Sequence, residues 1–132
     1  MHLTRNILFV FLLTFVLTLT QCKKDDDPTP DELLIGIWQA VEIDGDAVPP
    51  DESLTFEFEA NQDFAWCYTY ENDSYCYDGE WNWLGDDRDR INIEISDEDG
   101  YEYSINLEIE RLDQSHLDIE TSYNETIKFI KL

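Results

Sequence analysis

Positive charge is scarce in this 132-residue sequence, which has eight Lys and Arg residues against 31 Asp and Glu. The formal net charge is therefore −23. A protein that binds nucleic acid needs a basic surface to neutralise phosphates, and a chain this acidic cannot present a broad one. The sequence therefore argues against nucleic acid as a partner.

Residue types that serve catalysis and metal binding are also few. The chain has two His, three Cys and five Gly residues, with no HExxH motif, nucleophile motif or glycine-rich phosphate loop. Cys67 and Cys76, together with His2 and His116, do not have the spacing of a four-ligand zinc site. We predict that His116 lies on the surface, and we expect no catalytic residue, no metal and no cofactor.

No apolar run is long enough to cross a bilayer as a helix, which needs about 20 residues. The longest, residues 7–19, has 13 residues and follows Arg5, and residues 1–21 contain no acid. A basic start followed by a short apolar segment is typical of a secretory signal peptide, with a buried core helix as the alternative. We predict that residues 1–21 are a signal peptide.

The segment that follows resembles the lipobox of bacterial lipoproteins. It reads Leu-Thr-Gln-Cys and ends at Cys22, with Gln21 where that family prefers Gly, Ala or Ser. The resemblance implies that Cys22 is lipidated, becomes the mature N-terminus and anchors the protein in a membrane. Lys23 and Lys24 before three Asp residues resemble the export signal of surface-exposed lipoproteins in some Gram-negative bacteria. This implies an outer-membrane lipoprotein that faces the cell surface, with the periplasmic face as the alternative.

The rest of the chain divides into a tether and one domain. Residues 22–32 are polar and charged and contain two prolines, so they should form an extended tether. Residues 33–132 are long enough for one modest core. The chain as a whole is 42% hydrophobic and 14% aromatic, which is too apolar for a disordered acidic tail.

Apolar and polar residues alternate through most of this domain, as is typical of strands with one face in water. Thr29, Pro30 and Glu32 predict a capped helical turn that ends near Gly36. Eight short strands separated by turn residues indicate an all-β antiparallel barrel or sandwich. The predicted strands are 37–43, 53–59, 63–70, 75–83, 90–96, 101–111, 116–121 and 126–132.

The strands at 63–70 and 75–83 can be paired in a register that places Cys67 opposite Cys76. Directly opposed residues are close enough for a disulfide with some strand twist, and exported proteins meet oxidising conditions. We therefore predict a Cys67–Cys76 disulfide. The same register places eight aromatic residues on one face of the hairpin: Phe64, Trp66, Tyr68, Tyr70, Tyr75, Tyr77, Trp81 and Trp83.

This aromatic face has two interpretations. It is either core, or it partly lines a pocket. Tyr and Trp have polar tips that need partners when buried. Core is the favoured interpretation, whereas the abundance of Tyr and Trp suggests a partly wet cavity, or a surface on which a ligand such as a sugar ring stacks.

Several segments together are similar to the bacterial lipocalin-like lipoproteins. They are LLIGIWQAVEID, with its Gly36-Ile37-Trp38 motif, LTFEFEANQDF, DGEWNWLGDDRDRINIEI and the terminal ETIKFIKL. The resemblance implies a small eight-stranded antiparallel up-and-down barrel over residues 33–132, preceded by a short helical turn. In true lipocalins an Arg of the last strand stacks on the Trp, and Lys128 or Lys131 is the nearest substitute here.

We therefore expect a monomeric lipoprotein whose barrel binds a small hydrophobic or aromatic-stacking ligand, or a glycan, without catalysis. The alternative is an interaction or structural envelope protein with a filled barrel that docks a basic protein partner. An eight-stranded barrel is just wide enough for packed side chains or one small ligand, so its interior decides between them. The predicted ligand contacts are Trp38, Phe56, Phe58, Phe64, Trp66, Tyr68, Tyr77, Trp81 and Tyr103.

Overall fold

The computed structural model describes residues 26–132. The predicted signal peptide, the lipidation of Cys22 and the export segment behind it fall on residues 1–25 or border them, and so lie outside the described residues. Within residues 26–132, no helix has the length and apolarity that crossing a membrane requires.

Residues 26–132 form one short helix and nine strands. The helix α1 comprises Pro30–Leu34. The strands are β1 (Gly36–Ile43), β2 (Asp46–Ala47), β3 (Glu52–Phe58), β4 (Asp63–Tyr70), β5 (Asp73–Trp83), β6 (Arg90–Ser96), β7 (Glu102–Leu112), β8 (His116–Thr121) and β9 (Thr126–Lys131). All eight predicted strands are present, with ends within two residues of the prediction, and the two-residue strand β2 is additional.

The strands close into an antiparallel barrel. Strands β3 to β9 pair in sequence order, and β1 pairs with both β3 and β9. The two-residue strand β2 adds only to β1. The predicted eight-stranded up-and-down barrel is therefore confirmed, and the sandwich alternative is wrong. Closure leaves none of the eight main strands with an unpaired edge.

Helix α1 begins where the capping residues predict. The Thr29 hydroxyl accepts from the Glu32 backbone N–H at 3.3 Å, and the Glu32 carboxylate accepts from the Thr29 N–H at 2.8 Å. Pro30 occupies the first turn, where its missing N–H costs nothing. This reciprocal capping stabilises a helix of a single turn, which crosses one end of the barrel.

That end, called here the closed end, is tightly packed. Leu34 and Trp38 are fully buried, and Trp38 Nε1 donates to the Leu34 carbonyl at 2.7 Å. Asp31 pairs with Arg88 at 3.3 Å and accepts from Trp83 Nε1, which ties the helix to the β5–β6 loop. The core therefore fills the barrel beneath α1.

Lys131 is the cation that lies against the buried tryptophan of the closed end. Its Nζ lies 4.9 Å from the centre of the Trp38 ring and donates to the Leu33 carbonyl at 2.9 Å. Lys128 instead pairs with Glu42 at 2.6 Å. Gly36 adopts a φ of +137°, and a Cβ there would lie 2.6 Å from Lys131 Cε. Glycine therefore lets the lysine stem approach the first strand.

Candidate functional site

The aromatic face of β4 and β5 changes from core to exposed surface along its length. Near the closed end, Phe64 and Trp81 are each 3% exposed. Towards the β4–β5 turn, Tyr77 is 38% exposed and Tyr75 is 53% exposed. Strands β5 and β7 have 11 residues each, whereas β8 and β9 have six, so the longer strands extend past the packed core. The barrel end opposite α1 is therefore open, and it is called here the open end.

A pocket of about 470 Å³ lies at the open end. Six of its nine lining residues are aromatic, and they come from four different parts of the barrel. The lining residues of this open-end pocket are Trp66, Tyr68, Tyr75, Tyr77, Ile95, Asp97, Tyr103, Ile105 and Tyr123. The pocket is thus built mainly of rings with polar tips.

A second cavity, of about 160 Å³, lies deeper in the barrel. It shares Trp66, Ile95, Ile105 and Tyr123 with the open-end pocket, so the two spaces adjoin. Its other walls are largely aliphatic and phenyl side chains from the barrel interior. They are Leu54, Phe56, Phe64, Ile93, Leu107, Thr121, Glu125 and Ile127. A polar-tipped entrance therefore leads into a mainly apolar inner cavity whose lining also includes Thr121 and Glu125.

The hairpin that forms one wall of the pocket has the register that the cysteines predict. Cys67 pairs with Cys76, Trp66 with Tyr77, and the two sulfurs form a disulfide. The cysteines alternate with the pocket-lining aromatic residues, so the bridge lies on the outer face of the barrel. It cross-links the two strands behind the rings that they present to the pocket.

Asp97 is the one charged residue among the nine that line the pocket. Its Oδ1 accepts from the backbone N–H groups of Asp99 at 3.0 Å and Tyr101 at 2.8 Å. Its Oδ2 accepts from the Tyr103 hydroxyl at 3.3 Å. The β6–β7 turn therefore holds this carboxylate in a fixed orientation at the pocket wall.

The pKa values of two pocket tyrosines, Tyr103 and Tyr68, are raised. The negative charge of Asp97, with its hydrogen bond, raises the pKa of Tyr103. Burial, and then the charge of Glu52, raises the pKa of Tyr68. Both hydroxyls therefore stay protonated well above neutral pH, and their rings keep electron-rich faces.

Trp66 is one of the four residues that line both the open-end pocket and the inner cavity. Its ring lies 5.6 Å, centre to centre, from the Tyr77 ring. Its Nε1 is buried and has no hydrogen-bond partner within residues 26–132. An indole N–H is a donor that usually finds an acceptor when buried.

The predicted ligand contacts separate into three groups. Trp66, Tyr68, Tyr77 and Tyr103 line the open-end pocket, and Phe56 and Phe64 line the inner cavity. The remaining three, Trp38, Phe58 and Trp81, line neither space and are at most 3% exposed. Trp38 and Trp81 also donate their indole N–H to backbone carbonyls, of Leu34 and Glu59. These three residues belong to the packed core of the closed end.

The sequence prediction did not include five residues that line the pocket. Tyr75 was on the predicted aromatic face, and Ile95 and Ile105 were on predicted apolar strand faces. Asp97 follows β6 and Tyr123 follows β8, in turns that the alternation of side chains does not orient. In an up-and-down barrel, alternate turns lie at the same end. The β4–β5, β6–β7 and β8–β9 turns therefore share the open end. The order of strands and turns in the sequence thus indicates that Asp97 and Tyr123 lie there.

A Ser, His and Asp cluster lies elsewhere, in the turn between β7 and β8. Asp113 Oδ1 and Ser115 Oγ both contact His116 Nδ1, at 3.1 and 3.0 Å. A catalytic triad instead uses the two different ring nitrogens. Asp113 also accepts from the backbone N–H groups of Ser115 and His116, and the Ser115 bond above all lowers its pKa. The geometry is that of a capped turn.

The comparisons with known proteins address the fold. No protein-family model matches the sequence, and no curated protein matches it. The crystal structure of a lipocalin-like protein from Bacteroides uniformis ATCC 8492 has a TM-score of 0.57 and 19% identity, and covers 75% of this chain and 98% of that chain. An uncharacterized protein from Bacteroides eggerthii DSM 20697 has a TM-score of 0.55 and 16% identity, and covers 75% and 99%. The chain therefore has the barrel fold of a lipocalin-like protein.

Proposed function

We propose that this chain is an exported lipoprotein whose lipocalin-like barrel binds one small, partly apolar ligand at its open end, without catalysis. The observation that supports binding is the open-end pocket of about 470 Å³, which adjoins an inner cavity. Small-molecule sites are concave, mostly apolar and about 300–1,000 Å³ in volume, with a few oriented polar groups. Asp97 and the tyrosine hydroxyls supply such groups here.

The position of Trp66 provides a direct measurement. Of the four tryptophans, Trp66 lines the pocket, whereas Trp38, Trp81 and Trp83 do not. We expect a bound ligand from a panel of hydrophobic compounds, aromatic compounds and glycans to change the tryptophan fluorescence. The change should disappear in Trp66→Phe and persist in Trp83→Phe, which removes a tryptophan at the closed end.

Thermal unfolding of the same samples provides an independent measurement. A ligand that binds only the folded state raises Tm, and the rise grows with the logarithm of the ligand concentration once this exceeds Kd. A compound that changes the fluorescence should therefore also raise Tm. It should raise the Tm of Trp66→Phe as well, provided that the phenylalanine ring preserves the fold. A panel that changes neither quantity would contradict the binding function.

The anchoring part of the proposal is supported by the sequence alone. Cys22 follows a 13-residue apolar run, and the predicted polar tether of residues 22–32 leads into α1, which begins at Pro30. We expect metabolic labelling with a clickable fatty acid to mark the wild-type chain and not Cys22→Ala. Protease shaving of intact cells should then release the barrel if it faces outward, and should spare it if it faces the periplasm. Equal labelling of the wild type and Cys22→Ala would contradict lipidation.

A second candidate function, docking of a basic protein, is supported by the exterior charge. Residues 26–132 hold 30 acidic residues and five basic ones. Four of these bases pair with a carboxylate: Arg88, Arg90, Arg111 and Lys128. Capture of one basic envelope protein, lost as salt is raised and unaffected by a pocket ligand, would favour this function.

A further inference from the structure

We propose that the open-end pocket selects an organic cation, a protonated or quaternary amine carried on an apolar body. This inference rests on the proposed function, because it names the class of ligand for the same pocket. Three features of the molecule support it: the distribution of charge, the aromatic ring faces and the fixed carboxylate of Asp97.

The basic side chains of residues 26–132 all lie away from the pocket. Lys131 lies at the closed end, on the Leu33 carbonyl and the Trp38 ring. The other four bases pair with acids of the closed end, of adjacent turns or of the barrel wall: Arg88 with Asp31, Arg90 with Asp89, Arg111 with Asp113 and Lys128 with Glu42. None of the five lines the pocket, so nothing there neutralises an anionic ligand.

The acidic residues, in contrast, surround the open end. Asp97 lines the pocket, and Glu98 and Asp99 follow it in the same turn. Glu52 lies close enough to Tyr68 to raise the pKa of that phenol. A cleft lined by one sign of charge focuses the field and raises the local concentration of the opposite charge. The open end therefore attracts cations and repels anions.

The aromatic ring faces of the pocket add a short-range attraction for cations. Five tyrosines and Trp66 line the same pocket. An ammonium group is attracted to the face of an aromatic ring, and cages of such rings recognise quaternary ammonium ions. The neutral phenols described above keep this property at neutral pH. Leu, Ile and Val would bury an uncharged apolar ligand equally well, so the choice of rings favours a charged one.

Asp97 is placed to balance the charge of such a ligand. Its two turn hydrogen bonds occupy Oδ1, and the Tyr103 hydroxyl contacts Oδ2, which retains capacity to accept. A carboxylate already fixed by its turn loses little conformational entropy on binding. The ammonium group therefore belongs at the Asp97 side of the pocket, with the apolar body directed to the inner cavity.

Together these features describe a ligand with a cationic head on an apolar body.

Three matched probes test the inference on the purified full chain. They are 4-hydroxyphenyltrimethylammonium, its neutral isostere 4-tert-butylphenol, and the anion 4-hydroxybenzenesulfonate. All three carry the same ring and hydroxyl, so they differ mainly in head-group charge. By calorimetry or fluorescence, we expect the cation to bind about tenfold more tightly than the neutral probe, as cation–π contacts and a facing carboxylate imply. The anion should bind most weakly.

Variants separate the contributions to this preference. Asp97→Asn keeps the turn acceptor and removes the charge, so the preference for the cation should fall about fivefold while 4-tert-butylphenol affinity stays the same. Asp99→Asn removes a charge from the same turn but not from the pocket lining, and it is the matched control. Tyr77→Leu should reduce the preference, and Tyr77→Phe, which keeps the ring face, should retain it.

Each outcome bears on a stated part of the proposal. If 4-tert-butylphenol binds as tightly as the cation, the inference about charge is wrong and the binding function stands. If Asp97→Asn and Asp99→Asn weaken binding of the cation equally, the charge acts from a distance and the assignment of the head group to Asp97 is wrong. If none of the three probes binds, the inference is overturned, and the broad ligand panel tests the function separately.

Discussion

At the residue scale, the two ends of the barrel use the same residue types differently. At the closed end, the indole N–H groups of Trp38 and Trp81 reach backbone carbonyls, and both rings are almost fully buried. At the open end, the Trp66 N–H is buried without a partner in the described chain, and Tyr75 and Tyr103 are more than half exposed. The first arrangement stabilises the fold, and the second leaves tyrosine rings exposed at the pocket.

The closed-end contact between Trp38 and Lys131 is testable on its own. Burial lowers the pKa of Lys131, whereas the Leu33 carbonyl and the Trp38 ring face both favour its charged form. Trp38→Phe leaves the Leu34 carbonyl without its donor, and we expect a loss of about 1–3 kcal/mol in the free energy of unfolding. A double-mutant cycle of Trp38→Leu, which removes the ring face, with Lys131→Met should give a coupling of about 0.5–2 kcal/mol by urea unfolding.

Lys128→Met is the control for that cycle. Lys128 lies on the same strand and pairs with Glu42 at the surface, so its loss should cost at most about 1 kcal/mol. It should also show no coupling to Trp38. Equal couplings for the two lysines would contradict a specific contact with the ring.

Gly79 is required for a steric reason rather than for backbone freedom. An added Cβ would lie 2.1 Å from the carbonyl oxygen of Glu94 on the neighbouring strand, and backbone cannot move as a side-chain tip does. We expect Gly79→Ala to lower the free energy of unfolding by about 1–3 kcal/mol, as overpacking does. The neighbouring exposed residue provides the control, since Asp78→Ala should change stability by less than about 0.5 kcal/mol. If both variants unfold at the same urea concentration, the inference that the Glu94 backbone leaves no room for a Cβ at residue 79 is wrong.

At the element scale, the strands and their hairpin registers follow from local patterns. Alternation is a property of adjacent residues, and the Cys67–Cys76 pair fixes the β4–β5 register, so both are readable without tertiary information. Strand β2 has only two residues and no alternation to detect.

The division between core and pocket is instead a non-local property. Trp81 and Tyr77 share one strand face, yet one is buried and the other exposed, because α1 covers a single end and the strands differ in length. The pattern therefore predicts which aromatic residues face inward, and it does not predict which of them reach the open end.

The disulfide of the β4–β5 hairpin should stabilise the element that walls the pocket. The bridge closes a loop with a sequence separation of nine residues, which the chain-entropy model relates to about 2–3 kcal/mol. We expect Cys67→Ser with Cys76→Ser to lower the free energy of unfolding by that amount. The wild-type protein should become equally unstable when reduced. Unfolding curves that coincide for the oxidised wild type and the double variant would contradict this role.

At the scale of the whole molecule, the acidity has a structural cost. The described chain holds 30 acids and five bases, and the compact state brings these like charges together. Some acids are directly opposed on neighbouring strands. Glu80 lies opposite Glu94 in the β5–β6 pair, and Glu108 lies opposite Glu120 in the β7–β8 pair. Directly opposed like charges destabilise a sheet. The exterior charge therefore lowers the stability of the folded state.

This repulsion predicts how stability responds to salt. The Debye length falls from about 30 Å at 0.01 M to about 8 Å at 0.15 M ionic strength, so added NaCl screens the folded state. We expect the free energy of unfolding to rise over that range. Glu94→Gln removes the charge that faces Glu80, so it should stabilise the protein at low salt, by an amount that shrinks as NaCl is added. Glu57→Gln is the control, because Glu57 lies opposite Ile37 and Ala65. An unfolding midpoint of the wild type that does not change with salt would contradict this prediction. So would an equal salt dependence of stability in Glu94→Gln and Glu57→Gln, because salt would then not act by screening the cross-strand repulsion.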